Sequence, residues 1–412
     1  MAGYRSEEDH TLYRPGGFHP VHLGDVFNYH YEVLRKLGYG RYSTVWLVKD
    51  QRQDDFVTVL LMGRSLIVSF RTGCYGALKV LSAECYDGSQ DISELEVLTR
   101  LRDSDPKHDG HRHIPMLVDS FKHLGPNGHH LCLVLEPMGE NLRTFGTLFA
   151  KDQVPSSIMR RFGQQLLLAS DYAHRSGVIH TDIQPRNIMI QIPDLSIIDD
   201  YLKNTTPDPM AYDPSSDPLA IVSHPLKDFY IRGSTDLMTL DVALCDWGSA
   251  SWINHHPTEL IQPVLLRAPE VIIGASWGPS VDIWNLGAVL LEVLDAVRMF
   301  DGRTMQTGGV FQTKHHLEEI VALFGPFPPH LLALGDPKIV AEYFDDQGNI
   351  RNPTPRPKAF LENWIESITG NDKEEFVMLL RSMMKIDPDD RPTAKESLSE
   401  AWFQRTTSNP DS

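Results

Sequence analysis

The spacing of apolar positions changes character near residue 138. Before that point Tyr31–Leu37, Ser43–Lys49 and Tyr75–Leu81 have strand length and composition, and Leu131–Leu135 is a short apolar run. Four strands are predicted there. Between the third and fourth, Asp91–Arg100 sets Ile92, Leu95 and Leu98 on one face, which predicts a helix. Beyond Met138-Gly139 the helical period takes over, clearest in Met159–Ala173 and Val281–Leu294. The pattern therefore predicts an α+β chain: a small β-rich lobe, then a large helical lobe, joined near Glu136–Gly139.

Three stretches interrupt that plan. Residues 1–30 are polar and turn-rich, with Pro15-Gly16-Gly17 breaking any regular element, and read as a lead-in. Residues 193–236 combine six prolines with many aspartates and read as a surface insertion with little regular structure. Residues 57–74 are apolar and β-branched and carry no acidic residue, in a chain whose formal charge is −17. They separate two strands that a short turn would normally join. A packed hairpin and a segment foreign to the working protein both fit them.

Composition narrows the class of protein. With 41% hydrophobic and 23% charged residues the chain is globular. Its negative charge argues against nucleic-acid binding and fits a basic partner better. Cys74, Cys85, Cys132 and Cys245 lack C-x-x-C spacing and read as isolated thiols of a reducing, intracellular compartment. No apolar run reaches the roughly 18 to 20 residues of a membrane span, and residues 1–30 lack a signal-peptide profile. A soluble intracellular protein that makes no membrane contact is expected, most simply a monomer.

The candidate chemistry is spread along the chain in a fixed order. Leu37-Gly38-Tyr39-Gly40 with Ser43 and Val45 lies between two strands. Glycines there admit phosphates to the backbone, and Val45 could pack on an adenine ring. Ala77 precedes Lys79 in the next strand, and Glu94 follows fifteen residues later in the predicted helix, where its carboxylate can hold the ammonium toward phosphates. In His180-Thr181-Asp182-Ile183-Gln184-Pro185-Arg186-Asn187, Asp182 can accept a hydroxyl proton while Asn187 coordinates a metal. Cys245-Asp246-Trp247-Gly248 adds Asp246 as an Mg²⁺ ligand. Leu266-Arg267-Ala268-Pro269-Glu270, Asp282 and finally Arg391, able to pair with Glu270, complete the series.

In that order these motifs resemble a eukaryotic protein kinase over residues 31–404, and within kinases the SR-protein kinases, which phosphorylate arginine/serine-rich splicing factors. The second likeness rests on Gly16–Val21 with Leu23–Asn28, the glycine loop through Trp46, Leu98–Asp105, His180–Ile183, and Ile261-Gln262 with Arg267. The resemblance implies an ATP- and Mg²⁺-dependent serine/threonine kinase acting on basic, serine-rich protein. Asp182 would be the base, Lys79 and Glu94 the phosphate-holding pair, and Asn187 and Asp246 the metal ligands. Leu37, Gly38, Gly40, Ser43, Val45, Ala77, Leu135, Glu136 and Met138 would surround the nucleotide. Arg267 would shape the peptide-binding loop, with Glu270, Asp282 and Arg391 structural. It also implies an N-lobe over 31–138 with the insertion near 57–74, and a C-lobe over 139–404. Within the latter, residues 193–240 take the place of the family's spacer and 296–376 an extra helical region, leaving 405–412 as a tail.

Two departures bear on catalysis. Gln184 stands where the family has a lysine facing the transferring phosphate, and a neutral amide cannot neutralise developing charge. Thr181 replaces the arginine with which many kinases sense activation-loop phosphate, and only 25 residues run from Asp246 to Glu270. Activity without loop phosphorylation is the natural reading. A pseudokinase that binds nucleotide or scaffolds without transfer is the competing reading, and a small-metabolite kinase a more distant one.

Overall fold

The computed structural model describes residues 7–52, 75–86, 93–205, 221, 223, 236–303, 308–355 and 358–405. The stretch 57–74 lies outside them. The chain divides into two compact units: residues 1–99, 115–140 and 191–236 form one, and 100–114, 141–190 and 237–412 the other. No helix among the described residues is long and apolar enough to cross a membrane.

The first unit is built on a six-stranded sheet. β1 (Val26–Phe27), β2 (Tyr31–Tyr39), β3 (Ser43–Asp50), β4 (Tyr75–Leu81), β5 (Leu117–Gly125) and β6 (Gly128–Leu135) take the order β1-β2-β3-β4-β6-β5. The strands pair antiparallel throughout, so registered residues share a face. Register sets Trp46, Leu78 and Val134 side by side on one face and Val45, Lys79 and Leu133 on the other.

The first of these faces is the core. Trp46, Val48, Leu78, Val80, Cys132 and Val134 pack there with Val21, Phe27, Tyr31, Val33 and Ile221. The lead-in is therefore a packed part of the unit. Phe18 and Val21 are buried, and β1 extends the sheet. Polar composition hid this because the residues that pack, Phe18, Val21 and Phe27, are few and scattered among polar ones.

The lead-in also neutralises a buried charge. Lys36, with no exposed surface, donates to Glu8 Oε1 at 2.6 Å and to Glu7 Oε2 at 3.1 Å, while Tyr13 donates to Glu8. Ser223 donates through its backbone N–H and hydroxyl to Glu7, at 2.9 and 3.1 Å. The insertion is not wholly irregular either, since Ser196–Asn204 is a helix. Proline content missed this proline-free piece, and of the rest of 193–236 the residues 206–220, 222 and 224–235 lie outside the described ones.

The helix predicted over Asp91–Arg100 runs instead over Glu94–Asp103. In the second unit, helices cover Ser156–Arg175 and Ser280–Leu294. The latter is buried at thirteen positions, all but Ser280 and Glu292, as an apolar central helix must be. Gly163 lets the first approach its neighbours closely, since a Cβ there would lie 2.8 Å from Phe403 and 3.0 Å from Leu290. That helix ends at Gly177, whose φ of 85° and N–H bond to the His174 carbonyl terminate it and turn the chain into Val178–Ile179. Between residues 296 and 376 lie helices Thr313–Phe324, Pro329–Leu332 and Pro337–Tyr343 and the start of Gly370–Met383. Among the described residues, Cys85, Cys132 and Cys245 form no disulfide.

Under the lead-in, His19 meets His123 and His130 edge-on, with ring centroids 4.6 and 5.1 Å apart. Burial pushes the His19 imidazole down to about 3, helped by the neighbouring histidines. Burial likewise lowers His123 and His130. Folding thus favours the neutral form of all three, whereas the unfolded chain protonates near pH 6.5. Stability should fall as pH drops from about 6.5 toward 3, by up to about 1.4 kcal/mol per pH unit from His19, with His123 and His130 adding to the loss. Urea midpoints measured across that range should show a shallower decline in His19→Phe, and parallel wild-type and variant curves would contradict the assignment.

Candidate active site

In the first unit, β4 carries Lys79 because alternation turns Leu78 and Val80 into the core and leaves Ala77 and Lys79 on the opposite face. Val45 registers with Lys79, and Leu135 with Ala77. This puts three predicted nucleotide-lining residues and the lysine on one surface. Glu94 opens its helix and accepts from Lys79 Nζ at 2.7 Å, with both side chains largely buried. The sequence pairing of these two is met. Burial raises the Glu136 carboxyl, whose own backbone N–H donates to the Met116 carbonyl at 3.1 Å. Met138 is buried.

At the glycine loop, Gly40 N–H donates to the Ser43 carbonyl at 2.8 Å and closes the turn between β2 and β3. Gly38 has ordinary negative φ, and a Cβ built on it would meet no described atom within 4 Å. Neither strain nor packing calls for glycine there. Open space beside exposed backbone is what a phosphate group requires, so the loop fits ATP.

In the second unit the loop His180–Asn187 is fixed from below by Asp282. This carboxylate, buried in the first turn of Ser280–Leu294, accepts from the backbone N–H groups of His180 and Thr181 at 2.9 Å each, and from His174 Nε2 at 2.9 Å. Burial works against its ionisation, but His174, His180 and the backbone donors prevail and hold its pKa below the ordinary value. The bonds hold Thr181 at φ 65°, a conformation costly for a β-branched residue. Thr181 Oγ1 in turn donates to the Ser249 carbonyl at 2.6 Å.

His180 assigns its own tautomer by its partners. Nε2 bonds the Cys245 carbonyl at 3.0 Å and Nδ1 accepts from the Asp182 N–H at 3.2 Å. Cys245 N–H closes the circuit onto the Asn187 carbonyl at 2.7 Å. The Asp182 carboxylate takes Gln184 Nε2 on both oxygens, at 3.0 and 3.1 Å, and Asn187 Nδ2 on one at 2.6 Å. Burial raises its pKa, the Asp246 charge adds to the rise, and His180 and both amides oppose it. Gln184 thus turns its donor onto Asp182, and Arg186 is exposed.

Asp246 adopts left-handed backbone, φ 63°, ahead of Trp247. The Trp247 indole is buried against the His180 ring at 4.6 Å and donates to the Leu244 carbonyl at 2.9 Å. The bulk of this residue is accommodated as a further tie on the turn. Asn187 has committed its amide nitrogen to Asp182, which leaves its oxygen, with the Asp246 carboxylate, as hard donors suited to Mg²⁺ alongside phosphate oxygens.

Downstream, Arg391 and Glu270 are fully buried and joined through two bonds of 2.7 Å. The carbonyls of Lys385, Ser280 and Ile386 take the remaining guanidinium hydrogens. Arg267 donates to the Ile261 and Gln262 carbonyls. Two residues given no role from sequence, Gln262 and Asn285, fasten this loop. Gln262, at φ 67°, bonds Val281 O, Asn285 Oδ1 and Ala268 N–H, and Asn285 donates to the Leu266 carbonyl. A polar residue inside the apolar run Val281–Leu294 was the available signal for Asn285.

The sequence profile of the protein kinase domain matches residues 31–201 and 234–403. A serine/threonine protein kinase of Aspergillus fumigatus is 31% identical over 96% of this chain and 90% of its own length. The serine/threonine-protein kinase SRPK of Physarum polycephalum is 26% identical over 97% and 92%. SRSF protein kinase 3 of Homo sapiens is 23% identical over 96% and 90%.

Asp282→Asn turns an N–H toward one of two backbone donors and removes the charge facing His174. A loss of about 3 to 5 kcal/mol in unfolding free energy is expected, with kcat reduced by roughly a hundredfold as Thr181 relaxes. Chemical denaturation and steady-state kinetics on one preparation test this. Wild-type values in both would exclude the proposed hold on the loop.

Proposed function

The chain belongs to the protein kinase domain family, and we propose that it transfers the γ-phosphoryl group of ATP to serine or threonine in basic, serine-rich proteins. The observation that carries the reading is the Asp182 carboxylate, partly desolvated and held by two amide donors beside an oxygen-donor pair. A carboxylate so placed can accept the hydroxyl proton as that oxygen attacks phosphorus.

Lys79, oriented by Glu94, would bind the α- and β-phosphates, with Gly38 and Gly40 admitting them and Val45, Ala77 and Leu135 lining the base. Asn187 and Asp246 would hold Mg²⁺, which when bound neutralises phosphate charge. Each of these residues binds or orients, and only Asp182 moves a proton. Gln184 orients the base without adding charge, so less neutralisation comes from this chain than a lysine would give. The segment from Asp246 to Glu270 is fastened by Thr181, Trp247 and Gln262, none of which needs a phosphate. This supports activity without loop phosphorylation.

The substrate class rests on the formal charge of −17 and on relatives named for SR-type substrates. An Arg-Ser repeat peptide should be phosphorylated with kcat/KM at least tenfold above a neutral serine peptide at low salt, and the advantage should shrink as salt screens it. Equal rates on the two peptides would remove the substrate class while leaving the kinase assignment standing.

A further inference from the structure

The run 254–260 leads from the Asp246 turn toward the Ile261–Arg267 loop, and it is solvent-exposed at every position but one. The exception is His256. Its imidazole lies flat on the Trp277 indole, with ring centroids 3.7 Å apart and planes inclined by 6°. Trp277 is itself buried, and its indole N–H donates to the Glu259 carbonyl at 3.2 Å. One indole therefore grips the run at two points three residues apart. Glu259 is thereby fixed at its backbone while its side chain stays 75% exposed, the carboxylate 3.8 Å from His256 Nδ1.

Elsewhere in this region the charge is turned inward. Arg267, the loop's cation, donates Nε and Nη2 to the Ile261 and Gln262 carbonyls. The charge that this edge presents to solvent is therefore an anion on a held backbone. An exposed carboxylate on a loose loop would lose binding free energy each time it was ordered. One already held by its neighbours avoids most of that cost.

We propose that the His256–Trp277 stack is a positioning device that presents Glu259 as a specificity-determining carboxylate for a basic residue of the peptide substrate. This rests on the kinase reading and on the basic substrate class. The two residues of the stack act through Glu259 and touch no reacting atom.

Steady-state kinetics with an Arg-Ser peptide and a neutral serine peptide test it in wild type, Glu259→Gln, Trp277→Phe and Trp277→Ala, with KM for ATP and the unfolding midpoint recorded in parallel. The preference for the arginine peptide, as a ratio of kcat/KM values, should fall roughly three- to tenfold in Glu259→Gln through KM for the peptide. Trp277→Ala should lower it as much, because stack and hydrogen bond go together. Trp277→Phe, which keeps a ring under His256, should restore most of the preference. If Trp277→Ala does not fold, His256→Ala removes the stack from its exposed side and should give the same fall. A wild-type enzyme without preference for the arginine peptide would overturn the substrate class and Glu259's role together. A preference that survives Glu259→Gln would overturn this proposal alone. An unchanged preference in every folded stack variant would likewise remove the stack from the account.

Discussion

Asp282 is the constraint on which the second unit's chemistry depends. One carboxylate, buried at the start of an apolar helix, accepts from two consecutive backbone N–H groups and from His174. Its bonds hold Thr181 in a conformation the residue would not choose. With Thr181 fixed, the next residue, Asp182, faces the donors of Gln184 and Asn187, and His180 spans from the Asp182 N–H to the Cys245 carbonyl. Asp182 and the Asp246 turn, the proposed base and the proposed metal ligand, are thus two ends of one hydrogen-bonded circuit. Its cost is a buried charge, which is tolerable because three donors surround it.

Several other buried charges are paired with an opposite charge. Arg391 and Glu270 join the loop after the substrate-side segment to the chain's late helical region. Lys36 sits on the strand that leads into the glycine loop, and Glu7 and Glu8 from the lead-in neutralise it. Lys79 and Glu94 differ in that their pairing orients an ammonium to which the proposed function gives the phosphates. Such pairs add little net stability compared with apolar packing, but a lone survivor of any of them is costly. Position, more than strength, is what they supply.

Much of this was legible in the sequence because motif chemistry and strand periodicity are local. Lys79, Glu94, Asp182, Asn187 and Asp246 were named from neighbours within a few residues, and Arg391 was matched to Glu270 across more than a hundred. What stayed hidden depends on which distant backbone atoms come together. Gln262 stands out in the sequence only as part of a family likeness, and nothing local points to its three partners. His174 and Trp277 carry no signal in the sequence, because neither has a local partner. The lead-in misled for the opposite reason: its polar average concealed Phe18, Val21 and Phe27. At Gln184 the sequence exposed the loss of a charge, but only coordinates show the amide turned onto Asp182.

On the proposed reading, Asp182 makes this fold a working phosphotransferase. Transfer of labelled γ-phosphate from Mg-ATP to an Arg-Ser protein, followed in wild type and Asp182→Asn, tests it directly when nucleotide binding is measured on both. Wild type should label serine, and the variant should lose roughly 10²- to 10⁴-fold in rate while binding nucleotide equally well. A wild-type protein that binds ATP and transfers nothing, or a variant that transfers at the wild-type rate, would contradict the account.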